Sequence, residues 1–374
     1  MFSQTKSISL TGEINYTLNI KLYRAIKRND KTCESSKEAD QNYHIIAQSD
    51  TAHAQDSLSD VCICENNVVV VKKVESPLPS IMADEYEEIM KAKGFFPSNL
   101  DTLPAKFIQK AKEDLGETDE TRQSTLEQFR KRILEEKKVK CPTDDEFLIQ
   151  YLRARRYDVD TAIELLNNHF NIFTSHPEIF DKLDKEKMYK FARSGFVNVL
   201  PLRDNDGCLI IVIKIENWDP EDINAQVLIC AMAAVVHCIE IYPVNQICGV
   251  RIIYDAKDYS FQQMYCFVPT YLPLIAKVLK NCIPVRFKSI HIVNGGIIFD
   301  YAWSLLSLLL SEKIKGRIFV HGDNIQEVHN YIPKELLPQE YGGEYARDND
   351  EDWVTKEMDK IYDNFSTLLK NCYS

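Results

Sequence analysis

Five basic side chains gather late in a chain that is otherwise acidic. Arg286 and Lys288 stand in IPVRFKSIH, and Lys313, Lys315 and Arg317 in SEKIKGR. Guanidinium and ammonium groups make charge-assisted hydrogen bonds, and phosphate suits both. From Ile283 to Gly322 five Lys/Arg face two acids, Asp300 and Glu312, while the whole 374-residue chain carries a net charge of −11. That overall sign argues against nucleic acid as a general partner. It leaves a local anion site open.

Other kinds of chemistry find no support. There is no G-x-S-x-G elbow to expose a serine nucleophile, and no G-x-G-x-x-G or Walker pattern to cradle phosphates. Gly295-Gly296 follows an expected strand, but two glycines do not make a nucleotide loop. His291 lies within an apolar run and His321 at a strand end, where satisfied core or rim histidines are commonplace. Asp255 and Asp258 also follow a strand, a position where functional groups collect, yet no partner is evident. Cys62 and Cys64 form a C-x-C without a second ligand pair nearby. The chain is therefore expected not to be an enzyme, and to hold no cofactor and no metal.

The elements that must position the basic groups follow from patterning. Residues 1–80 are polar tracts around one short apolar run, Val68–Val71, and read as a low-order extension. Residues 81–180 read as a helical domain. Thr125 opens an amphipathic helix with Leu126, Phe129, Ile133 and Leu134 inward. Thr143 with Glu146, and Thr161 with Glu164, stand at capping-box spacing. A break at Tyr157-Asp158 separates the two helices they open, and the second carries Ile163, Leu166 and Phe170 inward.

Residues 187–346 change rhythm. FVNVLPL and CLIIVIKI flank RDNDG, a hairpin turn. An apolar helix over 223–242 leads to GVRIIYDA; a helix around TYLPLIAKVLKNC leads to KSIHIVN; RIFVHG follows, with Asp323 placed to cap another helix. Apolar strands alternating with helices imply an α/β domain on a parallel-rich sheet. A final amphipathic helix falls within 347–374. Eleven cysteines, an odd and scattered set, together with no signal-peptide pattern, lead to an expectation of reduced thiols and a cytoplasmic location.

One helix stands out, in FDYAWSLLSLLLSEKIKGR from Phe299. A membrane span needs about 20 apolar residues, and this run is broken by Asp300, three serines and Glu312. Asp300, Ser304, Ser307 and Ser311 form one narrow polar stripe. Tyr301, Leu305 and Leu308 flank it, with Trp303, Leu306 and Leu310 further round. A core helix fits this pattern, but the abrupt basic end exceeds what a helix dipole requires.

Several motifs in fixed order now carry a resemblance. RYDVDTAIELL after FLIQYLRAR, then IENWDP, GVRIIYDAKDYSF, IPVRFKSIHIVNGGIIF, LSEKIKGRIFVHG and LPQEYGGE, resemble the CRAL-TRIO lipid-transfer family over about Leu103 to Tyr345. The likeness is strongest to its tocopherol- and retinaldehyde-binding branch. It implies a CRAL-TRIO lipid-binding domain preceded by a small helical domain. It also implies a movable lid, the helix with Phe299, Tyr301, Trp303, Leu306, Leu309 and Leu310, over a pocket for one hydrophobic molecule. Gly295 and Gly296 stand at the hinge, where relatives carry proline, so φ is freer there. The matched positions imply that Arg155, Arg286, Lys288, Lys313 and Arg317, with Lys315 adjacent, bind a phosphatidylinositol bisphosphate headgroup. Asp160 is assigned as a helix-start cap.

The expectation is thus a monomeric carrier of a small hydrophobic lipid that docks transiently to phosphoinositide-containing membranes, without nucleic acid. A lipid-sensing adaptor without transfer activity is the alternative.

Overall fold

The computed structural model describes residues 96–345 and 353–373, apart from positions 99, 101, 102 and 182. The expected extension over 1–80, with Cys62 and Cys64, lies outside the described residues.

Helices come first. α1 spans Ala105–Leu115, α2 Asp119–Glu136, α3 Asp145–Ala154 and α4 Val159–Ser175. The caps differ from the expected boxes. Asp144, not Thr143, accepts from Phe147 N at 2.9 Å, and Asp158 accepts from Thr161 N at 3.0 Å. An aspartate one turn ahead of a free amide outcompetes a threonine whose own position is not at the boundary. Asp160, expected as a cap, sits inside the first turn of α4 and pairs with Arg132. The break between α3 and α4 is made by two left-handed residues, Arg156 (φ 51°) and Tyr157 (φ 64°). Leu126, Phe129 and Ile133 are buried as expected, but Leu134 is 56% exposed. Three positions at 3–4 spacing already complete the inner face, and the fourth falls outside it.

Short helices α5 (Pro177–Phe180) and α6 (Lys185–Ser194) lead into the sheet. β1 (Phe96–Pro97) pairs antiparallel with β3 (Leu202–Arg203). β2 (Val197–Val199) pairs antiparallel with β4 (Leu209–Lys214), so the expected hairpin is present. Its turn closes by Gly207 N donating to Asp204 O at 2.9 Å. Gly207 has φ 80°, and a Cβ there would meet the Phe107 ring at 2.4 Å. Only glycine fits that place.

β5 (Val250–Asp255), β6 (Phe287–Val293) and β7 (Ile318–Gly322) extend the sheet in the order β2-β4-β5-β6-β7. Every step from β4 onward is parallel. The connections are helical: α7 (Ala225–Glu240), α8 (Pro243–Cys248), α9 (Phe261–Asn281), α10 (Ile297–Leu309) and α11 (Glu312–Lys315). The apolar helix expected over 223–242 is α7, and Pro243 starts α8 as a new element because it lacks the N–H to continue the old one. After β7 the chain forms a 3-10 turn at Ile325–Asn330 that Asp323 does not cap.

Alternation across the pleat divides the sheet's faces. Ile210, Val212, Ile253 and Val293 pack with Val328, Ile332, Leu336, Leu337 and Tyr341 on one side. Ile213, Ile252, Tyr254, Ile290 and Ile292 look to the other. The chain closes with α12 (Trp353–Lys356) and α13 (Met358–Tyr373), which buries Met358, Ile361, Phe365, Leu368 and Leu369.

Candidate functional site

The second face of the sheet is not fully packed. Between it and α7, α9 and α10 lies a cavity of about 390 Å³, within the range of small-molecule pockets. Phe299, Ala302, Trp303 and Leu306 form its wall on α10. Their 3, 1 and 3 spacing is a single helical face. Phe299 also packs against Tyr254 and Tyr259, with ring centroids 6.0 and 6.3 Å away.

The expected pocket residues divide. Phe299, Trp303 and Leu306 face the cavity, and Ala302, which carries no signal in the sequence, joins them. Tyr301 lies outside the cavity lining. Leu309 is 48% exposed at the helix end, and Leu310 is buried beyond that end rather than in the wall. The reason is the shape of the element: α10 stops at Leu309, and Ser311 precedes the separate short α11. The outer side of α10 is not covered either, with Ile297 88% and Leu308 78% exposed.

The entry to α10 is built by Asn294, which takes φ 54°. Gly295 and Gly296 follow without positive φ, so neither needs glycine for its backbone angle. At Gly295 the reason is space: a Cβ would approach the Phe299 ring at 3.0 Å.

Three of the basic residues, Arg286, Lys288 and Arg317, stand at the start of β6. Val250 pairs with Phe287 and Arg251 with Ser289, so Lys288 is an unpaired bulge residue. The bulge lets Phe287 and Ile290 both face the cavity and re-aims Lys288. Arg317 donates to Phe287 O at 2.9 Å, and Arg286 to Ile247 O at 2.8 Å. Burial lowers the Arg286 guanidinium below its ordinary range, and the like charges of Arg156 and Arg317 add to that. Arg156, the first residue of RYDVDTAIELL, thus adds to the positive field at Arg286, although it was not singled out in the sequence. Lys313 is exposed on α11, and Lys315 pairs with Glu312 at 3.0 Å. Arg155 turns to Asn281 at the end of α9, and Asn281 in turn donates to Glu164 at 2.8 Å. Arg153 serves structure, with 2.7 and 2.9 Å bonds to Glu117.

Groups that resemble catalytic or metal sites are engaged within the fold. Ser289 Oγ and His291 Nε2 are 2.8 Å apart, but both side chains are buried away from the cavity, and His291 leans on His321. Asp255, for which no partner was evident in the sequence, accepts from the Tyr341 hydroxyl at 2.9 Å. Among the described residues one group of potential metal ligands converges, Asp204, Asp206 and Cys208. Arg251 already occupies it, at 2.6 Å from Asp206.

Family comparison coincides with these elements. A model of the CRAL/TRIO domain matches residues 193–343, and one of the CRAL/TRIO N-terminal domain matches 104–168. The chain belongs to the CRAL/TRIO family. The two matched segments take in the sheet with α7 to α11, and the helices α1 to α3 with most of α4. Human alpha-tocopherol transfer protein-like is 31% identical over 252 residues, 66% of this chain and 72% of its own length. Its mouse counterpart is 32% identical over 66% of this chain and 72% of its own. Clavesin-1 of Rattus norvegicus is 30% identical over 63% of this chain and 68% of its own. This CRAL/TRIO chain has, among the described residues, no helix long and apolar enough to cross a membrane.

Proposed function

We propose that this chain carries one hydrophobic lipid molecule in the cavity beneath α10. We propose further that it docks to phosphatidylinositol bisphosphate at the cytoplasmic surface of a membrane to load or release that lipid. The observation that carries the reading is the α10 wall. Its inner residues Phe299, Ala302, Trp303 and Leu306 line a large apolar cavity, while Ile297 and Leu308 stay uncovered outside. A helix apolar on both sides suits an element that meets lipid within and a bilayer without. Burying about 400 Å² of ligand contributes roughly 10 kcal/mol gross, before ordering costs.

Arg286, Lys288, Lys313 and Arg317, with Arg156 beside them, supply the cation cluster for the headgroup. Arg155 contributes from the end of α3. Headgroup contacts to Lys313 and Arg317 would pull on the segment just after α10, and Gly295-Gly296 lie just before it. Binding at one end and a hinge at the other make displacement of α10 the release step. No bond-making step is required.

The test is extraction of the purified protein after incubation with host-cell lipids, followed by transfer between vesicles with and without the bisphosphate lipid. One retained hydrophobic species near one per protein, moved faster to vesicles that carry the headgroup, is the expected result. Retention without transfer would replace the carrier with a lipid-sensing adaptor. A chain that stays empty across sterols, isoprenoids and phospholipids would sink the cavity reading.

A further inference from the structure

The cavity runs across the width of the sheet. Its lining begins at Phe196, the residue before the edge strand β2, and reaches Ile318, the first residue of the opposite edge β7. Four strand steps of about 4.8 Å make that span about 19 Å. On the β7 side the wall is α10, which packs along α9. His169 and Phe173 on α4, Phe180 on α5, and His237 and Glu240 on α7 form the other end. Residues 169–192 fall between the two segments matched to the family, so membership does not describe the α4 and α5 part of that end.

Behind this end stands a ring that never reaches the cavity. Phe365 on α13 is fully buried and is not part of the lining. Its centroid lies 5.7 Å from Phe173, 6.3 Å from Phe180 and 6.1 Å from His237. The two phenylalanines meet it edge-on, at interplanar angles of 76° and 67°, an arrangement that aromatic pairs favour. Its three partners come from three different helices, and all of them line the cavity. Local pattern delivers the ring there. Met358, Ile361, Phe365, Leu368 and Leu369 recur at helical spacing and lay one apolar face on α4, α6 and α7. Lys185 to Asp359 at 2.6 Å, and Lys360 to the Tyr242 hydroxyl at 2.9 Å, fix the first turn of α13. A buried aromatic on such a face is usually core alone. What sets Phe365 apart is that each ring it meets is a wall of the chamber.

We infer that Phe365 is a positioning residue that fixes this end of the cavity, and so limits the length of the lipid it accepts. While the ring fills the space behind Phe173 and Phe180, close packing keeps those two walls from swinging back. Removing the ring gives them room, and the chamber gains length on the side away from α10. Selection by length is thereby assigned to the C-terminal helix, which lies beyond residue 343, where the matched domain ends. This rests on the carrier reading above and adds what bounds the ligand's size.

The probes are saturated fatty-acid methyl esters graded in chain length, offered as an equimolar mixture to wild type, Phe365→Ala and Phe365→Leu. Phe107→Leu is the control, at a buried phenylalanine that meets Phe96 and is not part of the lining. Retained esters are counted by mass spectrometry after gel filtration, and folding is checked by circular dichroism. Each further buried methylene should raise wild-type retention about fourfold, until the chain meets the wall and retention drops. In Phe365→Ala the drop should come about three methylenes later, since the space left by a lost ring relaxes only in part. The control should keep the wild-type limit. If Phe365→Ala does not fold, Phe365→Leu carries the comparison, with a smaller shift in the same direction. An unmoved limit in the folded variants, even with less ester bound overall, makes Phe365 ordinary core and overturns the inference while the carrier stands. A wild type without any length limit overturns it as well. A wild type that retains no ester also overturns it, and the host-lipid extraction above then decides the carrier reading by itself.

Discussion

Asn294 donates its side-chain amide to Asp255 across 2.8 Å, tying the residue before Gly295-Gly296 to the end of the neighbouring strand β5. The same carboxylate accepts from Tyr341 at 2.9 Å and from Lys257 N at 3.1 Å. One aspartate thus joins the entry of α10 to the covering on the far side of the sheet. Asn294→Ala removes one of these bonds and puts alanine at φ 54°, where asparagine is better tolerated. The expected cost is about 1–3 kcal/mol in urea unfolding, with faster exchange of bound lipid. An unchanged exchange rate would place the moving part elsewhere than this joint.

Filling the cavity should separate binding from folding. Ala302 is buried and faces the chamber beside Trp303. Ala302→Phe occupies space that is otherwise empty, so its overpacking cost should stay at or below about 1–3 kcal/mol. Lipid recovered per protein should fall several-fold with a near-native thermal midpoint. Full retention would mean that the ligand lies clear of α10.

The basic residues differ in how they are tied, and their variants should differ too. Lys313 is exposed, so Lys313→Ala should leave stability unchanged and weaken flotation with bisphosphate-phosphoinositide vesicles by about tenfold. Arg317 also bonds Phe287 O, so Arg317→Ala should lower both vesicle binding and stability. Arg155→Ala frees Asn281 from its partner. It should destabilise whatever the vesicle, and reduced binding in the folded fraction is what would mark Arg155 as a headgroup residue.

Burial, and then the charge of His237, push His169 from 6.5 down to about 3. The folded chain therefore holds His169 neutral while the unfolded chain protonates it near 6.5. Its contribution is fully present above that value and is lost as pH falls from about 6.5 towards 3. Urea unfolding at a series of pH values should show this loss, and His169→Gln should flatten it. A slope that survives the substitution would assign the loss to other groups.

The buried pair Arg153–Glu117 should matter for stability alone. Burial by itself would raise the Glu117 carboxyl, but its bonds to Arg153 hold it below the ordinary range. Glu117→Ala strands a guanidinium whose side chain is 5% exposed. It should cost about 3–5 kcal/mol, measured by chemical denaturation.

Much of this architecture was legible from spacing. The hairpin around Gly207, the three strands that continue the sheet and the inward faces of α2 and α4 follow from local periodicity, which each segment carries by itself. Helix ends were less legible. Asp144 and Asp158 outcompete the threonines at box spacing, a choice between caps one to three residues apart that composition does not decide. The inner face of α10 was half legible: Phe299, Trp303 and Leu306 were expected, but Ala302 is too small to announce itself as a wall. Leu309 and Leu310 were assigned to the lid over the pocket because the sequence does not show that the helix stops between them.

By itself the sequence determined the order of elements, the α/β class, the family likeness and the identity of the basic residues, because these reside in local pattern and fixed motif order. The tertiary structure alone decided which side chains meet. His169, His237 and Glu240 are drawn from two helices far apart in the chain, and only packing brings them to one chamber. Arg156 acts on Arg286 in the same way: the break beside it was legible, but not the distant residue whose charge it would face. Contacts between distant segments depend on how faces pack, and packing is a property of the folded chain.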